Sequence, residues 1–589
     1  MRNRLMICRC FFLAVAGILF AHSASAGDST TAFVHVNVVP MDREEVLHDQ
    51  NVIISNGRIQ AMGPADATPV PKDARVISGT GQYLMPGLAD MHVHLYFPEE
   101  LSLYVANGVT TVFNLNGAPA HLNWRAETAS GQMLGPTIYS VGPTFDHARS
   151  PEDAVKAVDQ ISADGYDGVK IYNQVSRAEY PALIAEAKSK NLLIVGHIAR
   201  EPGFAMTLQA GQSIAHAEEY LYTFFNDDPD PKHDLTHSLD AAKIPQAVAM
   251  TRQSGVSVIA TLVAYHNIIR QLTDLPAYLK NPDLQYLAPS VFEALQPGEN
   301  GYQKRISKDQ IPSMTPDYEF QKKLIKALHD GGVPVLAGTD AAWLGVPGFS
   351  LIEEVENFQD IGFTPYAALR TATIDCATFL RHSDDFGSVA TGKRADLILL
   401  SKNPLDDVRN LHQLSGVMVR GRWISASETR ALLQTVPPTY RVANTHLLTQ
   451  IRIDPSSVDQ YLAHNDPFGE QAAALLDLLA SQAGSDKFVD LLLRVQKSDP
   501  KSPLVAESSI NALGYKLLGH KKTDDAVRVF KLNTELYPRS GNTFDSLAET
   551  YLGLGNKNLA KQNYQKALEV QPAYPNAKEA QKILDTQLK

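Results

Sequence analysis

The chain has 589 residues, 44% hydrophobic and 20% charged, an ordinary globular balance. One core does not fill that length, so about two to four domains are expected. The net charge of −11 argues against a nucleic-acid partner, which would need a basic face.

Residues 1–26 read as a secretory signal. Arg2 and Arg4 lead, an apolar run follows from Phe11 to Phe20, and Ala24-Ser25-Ala26 fits a small-residue cleavage site. The run is too short to span a bilayer, so no stable membrane insertion is expected after cleavage. The expected location is periplasmic or secreted. Removing Arg2, Arg4 and Arg9 leaves 50 basic against 64 acidic residues, a net charge of −14. Cys8 and Cys10 leave with the signal. Cys376 then stands alone, which excludes an internal disulfide and makes cysteine ligation of a metal improbable.

Residues 27–84 read as short strands and turns: Thr31–Val39, Val52–Ser55, Gln60–Gly63 and Ala74–Ser78, with Asn56-Gly57 as a hairpin signal. A second β-rich stretch, residues 382–435, holds Ala395–Leu400 and Gly416–Gly421. The two stretches are expected to form one composite β-sandwich. Between them, residues 85–381 alternate strand and helix, as a parallel sheet requires. Eight strand candidates occur: Leu88–Leu95, Thr110–Leu115, Thr137–Val141, Gly168–Tyr172, Leu192–Ile198, Ser213–Ala217, Val256–Ala264 and Pro334–Thr339. Runs such as Pro181–Lys188, Ala241–Thr251 and Phe320–His329 read as the intervening helices. This matches an α/β fold of the (β/α)8 TIM-barrel type. An open doubly wound sheet fits less well, because no glycine-rich phosphate loop is present. The long stretch from Tyr265 to Tyr318 reads as a partly helical cap.

The tail, residues 445–589, repeats. Ile510, Leu513, Gly514, Leu517, Ala526, Phe530 and Pro538 return 34 residues later as Phe544, Leu547, Ala548, Tyr551, Ala560, Tyr564 and Pro572. The period and the small-large spacing resemble tetratricopeptide (TPR) repeats. Two units are marginal alone. Glu470–Lys497 is a candidate third, and a protein partner or self-association through the tail is expected.

In such a barrel the chemistry lies at the carboxyl ends of strands. Those ends carry His92 and His94, Lys170, His197, His216 and Asp340. His92 and His94 share one face of a strand, so both could grip one metal. Each residue has a packing alternative of its own. Tyr172, Arg200, Tyr265 and His266 follow strand ends and are candidates for substrate binding, with ordinary packing the competing reading. Glu353 and Glu354 read as a solvated or structural face.

The order His-x-His, Lys, His, His, Asp is similar to that of the amidohydrolase superfamily of metal-dependent hydrolases. Leu84–Asp90, Gly108–Val112, Leu336–Asp340, Gly362–Pro365 and Gly392–Leu397 resemble its imidazolonepropionase-like and prolidase-like branch. The resemblance covers about residues 30–430 and leaves out the tail. It implies two divalent metals. His92, His94 and Asp340 would hold one, and His197 and His216 the other. Histidine with carboxylate suits zinc, with manganese, iron or cobalt as alternatives. The resemblance also implies a carboxylated Lys170 as bridging ligand. The expected reaction is hydrolysis of the C–N bond of a small-molecule amide, such as a dipeptide or N-acyl amino acid. A metal-bridging hydroxide would attack, with Asp340 as general base and then acid. The same centre would serve a lactone or organophosphate hydrolase. A non-catalytic scaffold carrying a TPR protein-binding module is the reading from another class.

Overall fold

The computed structural model describes residues 30–226, 239–453, 455–469 and 499–588, with scattered positions between 471 and 497. The signal at 1–26 lies outside the described residues, as does most of Glu470–Lys497.

Strands from the two flanks join in one eight-stranded sheet. Thr31–Val38, Leu47–Ser55, Arg58–Pro64, Arg75–Ser78 and Tyr83–Pro86 come from the first flank; Leu397–Leu400, Leu414–Val419 and Arg422–Ser425 come from the second. The junction is antiparallel, with Met85 opposite Ile398. Thr31–Val38 has Leu47–Ser55 along one edge. Its other edge is shared by Arg75–Ser78 and Tyr83–Pro86, which pair with successive parts of the strand. Phe33, Val52, Ile54, Leu397 and Trp423 fill the core of this layer. Residues 426–435 belong instead to the helix Ala426–Ile453, which continues past Pro437 and Pro438.

All eight strands expected between the flanks are present, most of them shorter. Leu88–Val93, Val109–Asn114 and Thr137–Ser140 form one parallel sheet. Gly168–Ile171, Leu193–Gly196, Ser213–Ala215, Val258–Ile259 and Val335–Leu336 form another. Parallel bridges link the sheets at both margins, Val141 to Gly168 on one side and Val93 to Ala341 on the other. Met91, Phe113, Val195, Ala215, Ile259 and Leu336 pack together as one apolar cluster.

The apolar run Val256–Ala264 is corrected by the structure. Only Val258–Ile259 is strand. Thr261 takes φ +52°, and Leu262–Thr273 is a helix. A short run of buried residues cannot be assigned by periodicity alone, since strand and buried helix read alike. The helix start is held by Glu354. Its buried carboxylate accepts from the backbone N–H groups of Leu262 (2.9 Å) and Val263 (2.7 Å). Glu354 is therefore structural, while Glu353 pairs at the surface with Arg270. The cap is almost wholly helical and ends in the long helix Ile311–Asp330.

The C-terminal region is helical, including Glu507–Gly519, Thr523–Leu536, Gly541–Gly553 and Lys557–Val570. The repeated positions Leu513, Leu517, Ala526, Phe530, Leu547, Ala548, Ala560 and Tyr564 are buried together. A Cβ at Gly514 would stand 2.5 Å from the Phe530 ring, so only glycine allows that helix contact. Among the described residues no helix is long and apolar enough to cross a membrane. Cys376 is free and buried.

Candidate metal centre

His92 is the last residue but one of the first parallel strand, fully buried, and His94 follows just past its end on the same face. Their Nε2 atoms are 3.3 Å apart. Asp340 Oδ1 lies 3.2 Å from His92 Nε2 and 2.9 Å from His94 Nε2. Lys170, on Gly168–Ile171, brings Nζ to 3.4 Å from His92 Nε2. The His216 ring is 4.5 Å from that of His92 and 4.7 Å from that of His197. Ligand atoms of His92, His216 and Asp340 all lie within 4.8 Å of one another. The structure thus brings all six candidate ligands into one cluster.

The backbone is forced to do this. His216 and Asp340 take φ +77° and +54°, in the left-handed region that costs a non-glycine residue energy. A Cβ at Gly338 would stand 2.9 Å from His92 Cβ, so only glycine lets the last strand approach the first this closely.

The hydrogen bonds define which nitrogens are available. Thr261 Oγ1 donates to Ala260 O, so it accepts from His216 Nδ1–H at 2.9 Å. Glu219 Oε1 accepts from His197 Nδ1–H at 2.7 Å. Both rings therefore present a bare Nε2. Burial lowers the pKa of His92 and His216 well below the usual imidazole value. Burial also lowers His197, against the opposing pull of Glu219. Neutral imidazoles are the ligating form. Burial raises the Asp340 carboxyl, but His92, His94 and His216 more than offset this and hold it well below the usual range. Burial brings the Lys170 ammonium down to about 8, against Asp340, Glu219 and Glu218. Three neutral imidazoles, an ionised carboxylate and an amine on the edge of neutrality fit a cation.

Two carboxylates were missed in the sequence. Glu219 accepts from His197, from Ile198 N–H (3.1 Å) and from Arg200 Nη1 (3.1 Å). It orients the candidate ligand His197, as carboxylates behind metal-bound histidines do. Its position three residues past His216, just beyond the end of the strand Ser213–Ala215, was the available signal. Asp90 accepts from Thr339 Oγ1 (2.7 Å), Thr339 N–H (3.1 Å) and His92 N–H (3.2 Å). It ties the first strand to the last. Replacing Glu219 with glutamine should weaken metal affinity by about 10–100-fold, read by competition with a chelator. Wild-type affinity would sink the orienting role.

The four candidate substrate residues fare unequally. The Tyr172 ring lies 4.4 Å from the His197 ring and is 38% exposed, beside the cluster. Arg200 is engaged by Glu219 and lies over Tyr222. Tyr265 is buried in the helix Leu262–Thr273, with Asp317 and Tyr222 beside its hydroxyl. His266 stacks on Tyr318, with ring centroids 4.9 Å apart. Among the described residues, no hydrogen bond or ring contact ties His266 to the ligand cluster.

The chain is similar to several known proteins. An adenine deaminase from Ruegeria pomeroyi is 23% identical over 407 residues, covering 65% of this chain and 54% of its own length. The chain thus spans about half the length of that relative. An imidazolonepropionase from Idiomarina loihiensis is 24% identical over 385 residues, 60% of this chain and 86% of its own. The structure of a Xaa-Pro dipeptidase with methionine in its active site superposes with a TM-score of 0.53 at 18% identity, over 67% of this chain and all of that one. The sequence profile of the amidohydrolase family matches residues 83–424, more than half the chain, and the chain belongs to the amidohydrolase family.

Proposed function

We propose that this chain is an exported metal-dependent amidohydrolase that cleaves the C–N bond of a small amide, such as a dipeptide or N-acyl amino acid. The carrying observation is the convergence of His92, His94, Lys170 and Asp340, with side-chain atoms 2.9–3.4 Å apart beside the His197 and His216 rings. In this reading the eight parallel strands close into a barrel over residues 85–381. The bridges Val141–Gly168 and Val93–Ala341 support closure. The flanks 30–84 and 382–425 make one β unit, and the tail is a TPR-like partner-binding module.

His92, His94 and Asp340 would hold one divalent cation, and His197 and His216 a second, zinc being the ion that suits these donors. Such ions activate water near neutral pH and polarise a carbonyl oxygen. Lys170, once carboxylated, would supply the anionic ligand shared by the two cations. Its neutral Nζ attacks carbon dioxide and loses a proton, leaving an anionic carbamate. A pKa near 8 supplies the neutral amine that this needs. Asp340, ionised and facing the cluster, accepts the proton of the attacking water and delivers it to the leaving nitrogen. Tyr172, at the rim beside His197, orients the substrate.

The test joins metal analysis to a substrate panel. Protein purified without chelator should hold about two divalent metals per chain, as the two-metal design requires. Mass spectrometry should show release of free amine from dipeptides or N-acyl amino acids. Turnover of lactones with no amide cleaved would overturn the C–N assignment. A folded, metal-free protein would favour the scaffold reading.

A further inference from the structure

We infer that the helical tail is a positioning part of the metal centre, acting through Phe468 on an aromatic clamp over the loops that carry His94 and Asp340. The inference rests on the metal-centre reading above.

Tyr96 lies two residues past His94, and Trp343 lies three past Asp340. Their rings meet edge to face, 5.7 Å apart. They pin together the two loops that supply His94 and Asp340, two of the three ligands of the first metal position; His92 is on the preceding strand. Phe468, from the tail, adds the third ring, 5.0 Å from Tyr96. It also lies 5.7 Å from His121. His121 is buried, and its Nδ1 accepts from Ala118 N–H. Its Nε2–H therefore donates to Leu95 O at 2.8 Å, on the residue next to His94. The tail thus touches both the ring behind His94 and the imidazole that anchors its neighbour.

The segment bearing Phe468 is firmly seated. Trp124, fully buried, donates its indole N–H to His464 O at 3.1 Å. His464 Nε2 meets Glu127 Oε1 at 2.8 Å. A second attachment joins Lys516 and His520 to Glu293 of the cap. Those side chains are substantially exposed, and such pairs contribute little. The aromatic contacts, with Tyr96, Trp343 and Phe468 half-buried and His121 and Trp124 buried, carry more, because they remove apolar area and hold a defined ring geometry. They also sit directly behind metal ligands, where displacement matters most.

The experiment uses the full-length chain with Phe468→Ala, Phe468→Tyr and Tyr96→Leu. Two readouts are taken: hydrogen–deuterium exchange of segments 94–100 and 340–346, and the rate at which zinc passes to a chelator. Phe468→Ala should speed exchange in both loops and speed zinc release about tenfold, with residues 541–570 unchanged. Phe468→Tyr should restore both. Tyr96→Leu should loosen segment 340–346 although the substitution lies in the other loop. This variant decides the matter if Phe468→Ala loosens the whole tail. Wild-type exchange at 340–346 in Tyr96→Leu, or wild-type exchange in both loops of Phe468→Ala, overturns the proposal. A wild-type chain that binds no metal would sink the function reading, while the exchange data still judge the clamp.

Discussion

Replacing Asp340 with asparagine should lower the rate of amide hydrolysis by about 10²–10⁴-fold, the usual worth of a positioned general base. Asparagine keeps the shape and one oxygen, so it still reaches His92 and His94, 3.2 and 2.9 Å away in the native chain. It cannot accept the proton of the attacking water. Metal content, measured alongside kcat, should therefore fall much less than activity. Equal losses of metal and activity would make Asp340 a ligand only. Turnover near that of the wild type would remove it from the mechanism altogether.

Lys170→Ala should cost about 10²-fold or more in kcat/KM, since the charge an anionic bridge neutralises is worth several kcal/mol. Acetate or propionate should restore part of the rate, because the vacated volume would admit a carboxylate in place of the proposed carbamate. Lys170→Arg should stay inactive with or without added acid. Its guanidinium fills the site and does not react with carbon dioxide. Lys170 is 2% exposed, so no surface role explains such a pattern. Near-native turnover by Lys170→Arg would end the carbamate proposal. Rescue of Lys170→Ala to the same degree by chloride would also count against it.

The tail changes the expectation drawn from the sequence. The 34-residue repeat describes a unit with its own core, and its repeated positions are buried together. Such a unit by itself predicts that a chain cut near Pro438 keeps the metal site intact. The structure gives that cut a cost. Pro438 lies inside the helix Ala426–Ile453, and Tyr440 just beyond it is buried with its ring 5.8 Å from Phe97. Phe97 lies three residues past His94. The truncation would strip the rings from behind the first metal position along with the repeats.

What was legible in the sequence is what short-range chemistry encodes. His92-Val93-His94 declares itself because a strand alternates its faces, and two histidines two residues apart must share one. Lys170, His197, His216 and Asp340 were found because each ends or follows an apolar strand. The parallel strands followed from helix and strand in alternation. One misassigned element, Val256–Ala264, failed where periodicity carries no information. Its second half is a helix start held by Glu354, 92 residues away for Leu262.

Tertiary structure decided what distant residues do to one another. Asp90 and Thr339 are 249 residues apart, and Trp124 and His464 are 340 apart. No local pattern couples such pairs. Glu219 looks like any acid in a helical turn until His197 and Arg200 are packed against it. Phe468 looks like a loop aromatic until Tyr96 and His121 meet it. The ligand types and their order are properties of the chain. Which nitrogen each histidine presents, how far burial lowers Lys170, and which rings stand behind His94 are properties of packing. They depend on desolvation and on contacts that exist only once the strands and the tail are assembled.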